Sequence, residues 1–285
     1  MKWHAGRFQV ELMTPHVMGI VNITPDSFFD GGRSGNTASA LAQCERFLHE
    51  GATILDLGAE STRPGAMPIS LNDELARLLP VLREALTLGC PISIDTNKTE
   101  VMRHVLDAGA DIINDVYALR APGAVDVVAA HSNCGVCLMH MQGTPTSMQV
   151  QPLYGDVISE VVNFLRDRTA MLFANGVALN RIVCDPGIGF GKSIDHNIEL
   201  LRRQNELRVI GQPLLIGWSR KSTLGTITGR TVDSREAASI AAALAAVSRG
   251  ARIVRVHDVA STVDALKVWR AAGLDCEQDF LKSPT

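Results

Sequence analysis

The sequence predicts a (β/α)8 barrel whose floor is closed by an N-terminal β-ribbon. Three observations predict it. Eight short apolar segments rich in Val and Ile recur along the chain: "HVMGIVN", "ATILDLG", "CPISIDT", "DIINDV", "GVCLMHM", "RIVCDPG", "PLLIGWS" and "RIVRVHD". Each is continuously apolar rather than alternating, as a parallel strand covered on both faces must be. Between them, apolar residues recur at spacings of three and four, which gives one apolar helix face. The third observation is punctuation. "HEGA" at 49–52, "DAGA" at 107–110, "ANGV" at 174–177 and "SRGA" at 248–251 each put glycine where a helix stops in a left-handed turn before the next strand. Eight strand–helix units over about 250 residues suit a closed barrel better than an open doubly wound sheet. Residues 1–285 are therefore read as one domain.

Taken in order, "GRFQVELM" precedes the first strand and has no helix to pair with, so it is expected to form the ribbon at the barrel floor. Leu41, Cys44, Phe47 and Leu48 mark the first helix. The second carries Pro80 inside "ELARLLPVLREAL"; proline removes a donor and clashes with the preceding turn, so this helix is expected to be bent or divided. Val101, Met102, Val105 and Leu106 mark a third helix, and Ile158, Val161, Val162 and Leu165 mark a later one. "AASIAAALAAVSRGA" is small and apolar enough for close helix packing, either within the barrel or between two copies of the chain.

Composition narrows the function. With 27 basic and 30 acidic residues the net charge is −3, and no chain-wide field attracts nucleic acid or an anionic membrane. Any anion must be held by a local site. "MKWHAGRFQVELM" lacks the apolar stretch of a signal peptide, and no run reaches the roughly 18 apolar residues of a spanning helix, so a cytoplasmic protein is expected. Six cysteines lie in apolar contexts; the one close pair, Cys134 and Cys137, sits inside a strand-like segment and reads as buried thiols rather than a redox or zinc motif.

In a barrel of this kind the chemistry sits at the carboxyl ends of the strands and on the loops after them. Here those ends are polar: Asn22, Asp56, Asp95, Asn114, His140, Asp185, Ser219, and Arg255 with His257. Any one could be a turn former. A ring of carboxylates, amides and cations instead suits a flat hydrogen-bonding heterocycle beside an anion. "SRKS" supplies Ser219, Arg220 and Lys221, and "RVHD" places Arg255 and His257 on one side of the last strand. The loops after strands seven and eight are the usual phosphate grip of such barrels, and an arginine fork fits phosphate oxygens. "DPGIGFGKS" matches neither the P-loop nor the dinucleotide fingerprint and reads as a backbone bend that closes a pocket wall.

From "MGIVNITPDSFFDGG" through "GAESTRPGA", "SIDTNK", "IINDV", "LMHMQG", "DPGIGFGK" and "SRKS" to "RVHDV", the chain resembles the dihydropteroate synthase family of folate biosynthesis over nearly its whole length. The resemblance implies condensation of a dihydropterin methyl diphosphate with 4-aminobenzoate, giving dihydropteroate and pyrophosphate with Mg2+ present. It implies that Asp95, Asn114, Asp185 and Lys221 read the pterin edge, with Met139, Phe190, Gly217 and Arg255 lining the ring. Acceptor-only carboxylates suit an amino-pyrimidine edge, and a donor-only lysine suits ring acceptors. Asn22, Thr62, Arg63, Arg255 and His257 would hold the diphosphate, Asn22 also serving as the Mg2+ ligand; one amide is enough for an ion that keeps most of its waters. Phe28, Pro64, Thr62, Ser219 and Lys221 would receive the aminobenzoate. "TPDSFFDGG" and "STRPGA" would be closing loops, with Asp30 and Arg63 assisting the chemistry and Gly31, Gly32 and Gly35 as hinges.

The resemblance further implies a homodimer, small-molecule substrates only, and sulfonamides as competitive inhibitors. Rival readings are a pterin-binding corrinoid methyltransferase, a non-catalytic pterin-binding relative and a phosphate-binding barrel isomerase. The full "STRPG", "SRK" and "RVHD" set speaks against the first. Intact loops speak against the second, and no acid–base pair for the third is found. Trp218 stands where many relatives carry methionine, and is expected to crowd or stack near the pocket.

Overall fold

A computed structural model of the chain describes residues 1–23, 32–61, 67–143, 148 and 152–274, the side chains of 32–36 excepted. The ribbon is present: β1 (Lys2–Ala5) pairs antiparallel with β2 (Phe8–Glu11). The expected segments form the eight barrel strands: β3 (His16–Asn22), β4 (Ile54–Gly58), β5 (Ile92–Asp95), β6 (Ile112–Asp115), β7 (Gly135–Met139), β8 (Ile182–Asp185), β9 (Leu214–Ile216) and β10 (Ala251–Val256). They pair in sequence order, all parallel, and β10 closes back onto β3. Helices α1 (Gly32–His49), α2 (Leu71–Ala85), α3 (Thr99–Asp107), α4 (Ala124–Ala130), α5 (Val157–Ala174), α6 (Ile194–Arg202), α7 (Ser222–Thr228), α8 (Glu236–Val247) and α9 (Val259–Ala271) lie between and after them.

Gly51, Gly109, Gly176 and Gly250 all stand in the left-handed region, at φ 101°, 104°, 86° and 96°, and end α1, α3, α5 and α8 as the sequence implies. The second helix is not divided: α2 runs through Pro80, its Ser70 cap and the buried face of Leu78, Val81, Leu82 and Ala85 holding the ladder across the missing donor, which corrects the expected division. Gly32 and Gly35 belong to α1 and are not loop hinges; glycine's helix penalty of about 1 kcal/mol is small enough for context to override.

Two cores position the site. The larger packs the outer faces of the strands against the helices and includes Phe47, Leu78, Val101, Leu165 and Trp218. Trp218 is thus a core residue on the helix side of the sheet, not a ring beside the pocket, which corrects the sequence expectation. The smaller core plugs the barrel floor: Trp3, Ala5, Val10 and Leu12 of the ribbon region meet Met18, Ile54, Ile112, Cys137, Val183, Leu215 and Ile253. Side chains on a strand alternate faces, so two residues further along β4, β6, β7, β8 and β10 the same inward face presents Asp56, Asn114, Met139, Asp185 and Arg255. An apolar floor therefore passes into a polar mouth within one repeat of the strand.

Trp3 is fully buried and its indole N–H donates to the Arg181 carbonyl at 2.8 Å. Trp3→Ala is expected to destabilise the fold by about 3–5 kcal/mol, read as a lower urea midpoint, with substrate affinities unchanged in the folded protein.

Cys44, Cys90, Cys134, Cys137 and Cys184 are buried free thiols. Burial pushes Cys134 and Cys184 up to about 12, which removes the thiolate that redox or metal chemistry needs. No helix among the described residues is long and apolar enough to cross a membrane.

Candidate functional site

Arg255 organises the mouth. Its Nε donates to Asp56 Oδ2 at 2.6 Å and its Nη2 to Asp95 Oδ2 at 2.8 Å. Asn114 Nδ2 donates to the same Asp56 oxygen at 3.1 Å. One guanidinium thereby ties β10 to β4 and β5, and Asp56 extends the link to Asn114 of β6. Burial lowers the Arg255 pKa, but the Asp56 and Asp95 carboxylates outweigh it and raise the net value. The other oxygens, Asp56 Oδ1 and Asp95 Oδ1, are buried without a hydrogen-bond partner. A buried unpaired acceptor costs about 1–3 kcal/mol, a cost that a bound donor would remove. At Asp95 burial outweighs the guanidinium, and its carboxyl is pushed up to about 7.

Asp185, at the end of β8, accepts the Gly187 N–H through Oδ1 at 2.7 Å. Burial raises its pKa against the pull of that bond and of Lys221, Arg255 and Lys192. Burial in turn lowers Lys221 to about 8, with Asp185 and Asp95 opposing and Arg255 adding to the fall. Asp95, Asp185, Lys221 and Arg255 therefore share one electrostatic neighbourhood. Lys221 Nζ sits 4.1 Å from the centroid of the Phe190 ring. Phe190 packs on the cluster of Val116, Met139, Met141 and Met148, so the polar ring has one apolar wall. Beside Gly217 the position a Cβ would take is open space.

The two basic loops are joined by two cross-links. Ser219 Oγ lies 3.0 Å from His257 Nδ1 and accepts the His257 backbone N–H at 3.1 Å. Arg220 pairs both carboxylate oxygens of Asp258, at 2.5 and 3.2 Å. Arg220 is one of the few non-glycine residues at positive φ, at 60°, and it turns the backbone between Ser219 and Lys221. The sequence reading placed Ser219 with the aminobenzoate carboxylate; here its hydroxyl already fixes the His257 ring.

Asn22 ends β3 opposite Gly58 in β4 and is half-buried. His140 departs from the expected rim. It is buried, stacks edge-on against Phe164 of α5 with centroids 5.0 Å apart, and bonds Lys192. Phe28, Asp30, Gly31, Thr62, Arg63 and Pro64 lie outside the described residues. Lys192 and the Arg220–Asp258 pair were not singled out from sequence. Both act on backbone that comes together only in three dimensions, and the one available signal was a lysine inside an otherwise apolar glycine-rich string.

Residues 18–257 match the family model described as pterin binding enzyme. The chain belongs to the dihydropteroate synthase family. It is 54% identical over 277 residues to the dihydropteroate synthase of Neisseria meningitidis serogroup C, covering 96% of this chain and 98% of that one. A Xanthomonas albilineans dihydropteroate synthase solved with 4-aminobenzoic acid superposes with a TM-score of 0.90 at 46% identity, covering 95% of this chain and 98% of that one. The Burkholderia cenocepacia dihydropteroate synthase complexed with 7,8-dihydropteroate gives 0.87 at 50% identity, covering 95% and 96%. As a member of that family the chain is a transferase.

Proposed function

We propose that the mouth of the barrel joins 6-hydroxymethyl-7,8-dihydropterin diphosphate to 4-aminobenzoate, with Asp95, Asn114, Asp185 and Lys221 as readers of the pterin edge. The observation that carries this assignment is the buried, unpaired Oδ1 of Asp95 beside a second buried carboxylate and a lysine. Pterin N–H groups are donors, and the two carboxylates are the acceptors they require. Met139, Phe190 and the stem of Arg255 enclose the ring faces, and Gly217 leaves the ring its space.

Arg255 and His257 hold the diphosphate. Asp56 and Asp95 occupy Nε and Nη2 of Arg255, so Nη1 faces the phosphate oxygens, while Ser219 sets the His257 ring from its Nδ1 side. The C–O bond to the diphosphate breaks first, its electron pair leaving with pyrophosphate, because the electron-rich pterin delocalises the positive charge. The aniline nitrogen then bonds to the exocyclic carbon and loses its proton. Arg255 and His257 stabilise the charge growing on the leaving group, an effect of about 3–4 kcal/mol per well-placed donor. No strong base is needed for a neutral aniline.

No group of three or more His, Cys, Asp or Glu side chains that could enclose a metal exists among the described residues. Mg2+ takes one or two protein ligands and otherwise waters and substrate phosphates. The Asn22 amide oxygen would be its ligand, and the ion would neutralise the diphosphate. The aminobenzoate site falls to Lys221 and Ser219 together with Phe28, Thr62 and Pro64, and sulfonamides compete there because they share the aniline. A cytoplasmic homodimer is the setting this reading favours.

Pterin affinity is expected to fall as pH drops through about 7, where Asp95 loses the charge that accepts pterin protons. Calorimetry with a dihydropterin lacking the diphosphate reads this without the phosphate's own titration. Asp95→Asn should weaken binding and flatten the pH dependence. The function itself is tested by pyrophosphate release with and without 4-aminobenzoate. Release in its presence, with dihydropteroate formed in equal amount, supports the assignment; a protein that binds pterin diphosphate and never releases pyrophosphate contradicts it.

A further inference from the structure

The turn between β8 and α6 is gathered by one buried ammonium. Lys192 is 2% exposed, and its Nζ lies 2.9 Å from His140 Nδ1, 3.0 Å from the Gly187 carbonyl, 3.0 Å from the Phe190 carbonyl and 3.4 Å from the His140 carbonyl. No carboxylate bonds it among the described residues. A lysine has three protons and no acceptor, so His140 Nδ1 is the accepting nitrogen and the ring proton belongs on Nε2. The same ring packs against Phe164 and Tyr154, and the Tyr154 hydroxyl donates to the Gly191 carbonyl at 2.7 Å. One ammonium thus stitches the end of β7 to both sides of the turn.

Burying an ammonium that no carboxylate among the described residues bonds is costly: burial lowers the Lys192 pKa to about 7, with Asp185 opposing the fall, and an apolar side chain would fill the space without that cost. The ammonium also has no part in the reaction described above. What it gathers does: the Gly187 N–H holds Asp185, and the ring of Phe190 lies against Lys221 Nζ. A Cβ on Gly189 would come within 3.1 Å of Lys221 Cδ, so the turn also touches the lysine stem directly. The Gly189 N–H in turn donates to Asn197 at 2.8 Å, which anchors the turn to α6.

We propose that Lys192 is a positioning residue for pterin recognition: by drawing the carbonyls of His140, Gly187 and Phe190 onto one ammonium, it fixes the wall on which Asp185, Phe190 and Lys221 are set. The inference rests on the mouth being the pterin site. It concerns the wall of that mouth and not the diphosphate grip, whose Arg255 and His257 are held by Asp56, Asp95 and Ser219, which Lys192 does not touch.

Lys192→Met, of similar length and without the charge, tests it in the full chain. Calorimetry with dihydropterin should show at least a tenfold higher Kd than wild type. The Kd for pyrophosphate with Mg2+ should stay within twofold. A dihydropterin Kd within twofold of wild type, or dihydropterin and pyrophosphate weakened by the same factor, overturns the proposal. Should the variant not fold, His140→Phe decides, since it keeps a ring against Phe164 and removes only the Nδ1 acceptor. A selective threefold rise in dihydropterin Kd supports the role, and an unchanged Kd overturns it. If wild type itself fails to bind dihydropterin, the reading of the mouth fails and takes this inference with it; if wild type binds and the variants bind equally, Lys192 alone is wrongly assigned.

Discussion

Arg255→Met is expected to destabilise the protein by about 3–5 kcal/mol and to bring dihydropteroate formation below detection. The size follows from what remains. Asp56 and Asp95 both bond the guanidinium, Asp56 is fully buried, and each already has one oxygen without a partner. Deleting the cation leaves two buried carboxylates side by side, and like charges so placed cannot both stay ionised.

The pH dependence has a definite sign. Asp95 already stands at about 7 in the folded protein against an ordinary 3.8, so the folded state holds the proton more tightly than the unfolded one. Its contribution is fully present below the unfolded value and is lost as pH rises towards the folded one. Without Arg255 the folded value climbs further, and the loss continues to higher pH. The gap in urea midpoint between wild type and Arg255→Met should therefore be wider at pH 8 than at pH 5.5; an equal gap at both would mean that the two carboxylates are not under this strain.

Gly187→Ala is expected to do comparable damage from the opposite wall. Gly187 has φ 71°, and a Cβ there would lie 1.9 Å from the His140 carbonyl oxygen. The left-handed backbone alone costs a non-glycine residue about 1–3 kcal/mol, and the clash must move the turn away from β7. Moving it breaks the N–H bond to Asp185 and the carbonyl bond to Lys192 together. Pterin binding should be lost and the melting temperature lowered. Gly211→Ala is the control: φ is 81° but nothing lies within 4 Å of the added carbon. It should show the backbone cost alone, with full activity. Equal effects at the two glycines would show that the contact with β7 does not matter.

Much of this architecture was legible in the sequence because parallel strands and their helices leave strong local patterns. Continuous Val- and Ile-rich runs, three- and four-residue spacing and glycine stops are each imposed by the element they belong to, and all eight strands lie where those patterns put them. Strand ends were legible for the same reason. A polar residue that follows an apolar run on an inward position has nowhere to go but the mouth, which is how Asp95, Asn114, Asp185 and Arg255 came together. His140 shows where that logic stops. It follows Met139, which is inward, so its ring falls on the other face and packs against α5.

Trp218 failed in the same way, lying one residue past Gly217 and turning outward into the helix-side core. The division expected at Pro80 did not occur for a different reason, since a local penalty of about 3 kcal/mol can be outweighed by a well-buried helix face. Asp56 was visible as a rim residue, but its bond to Arg255 joins positions 199 residues apart, and no local pattern encodes such a pairing. The same holds for Lys192 and for the cross-links between the "SRK" and "RVHD" loops.

The most direct test of the pterin assignment is a crystal structure of this protein with 7,8-dihydropteroate. The ring should lie in the barrel mouth, with hydrogen bonds to Asp95, Asn114, Asp185 and Lys221 and with Met139 and Phe190 against its apolar surface. Product bound elsewhere, or seated in the mouth with Asp95 and Asp185 both beyond hydrogen-bond distance, would contradict it.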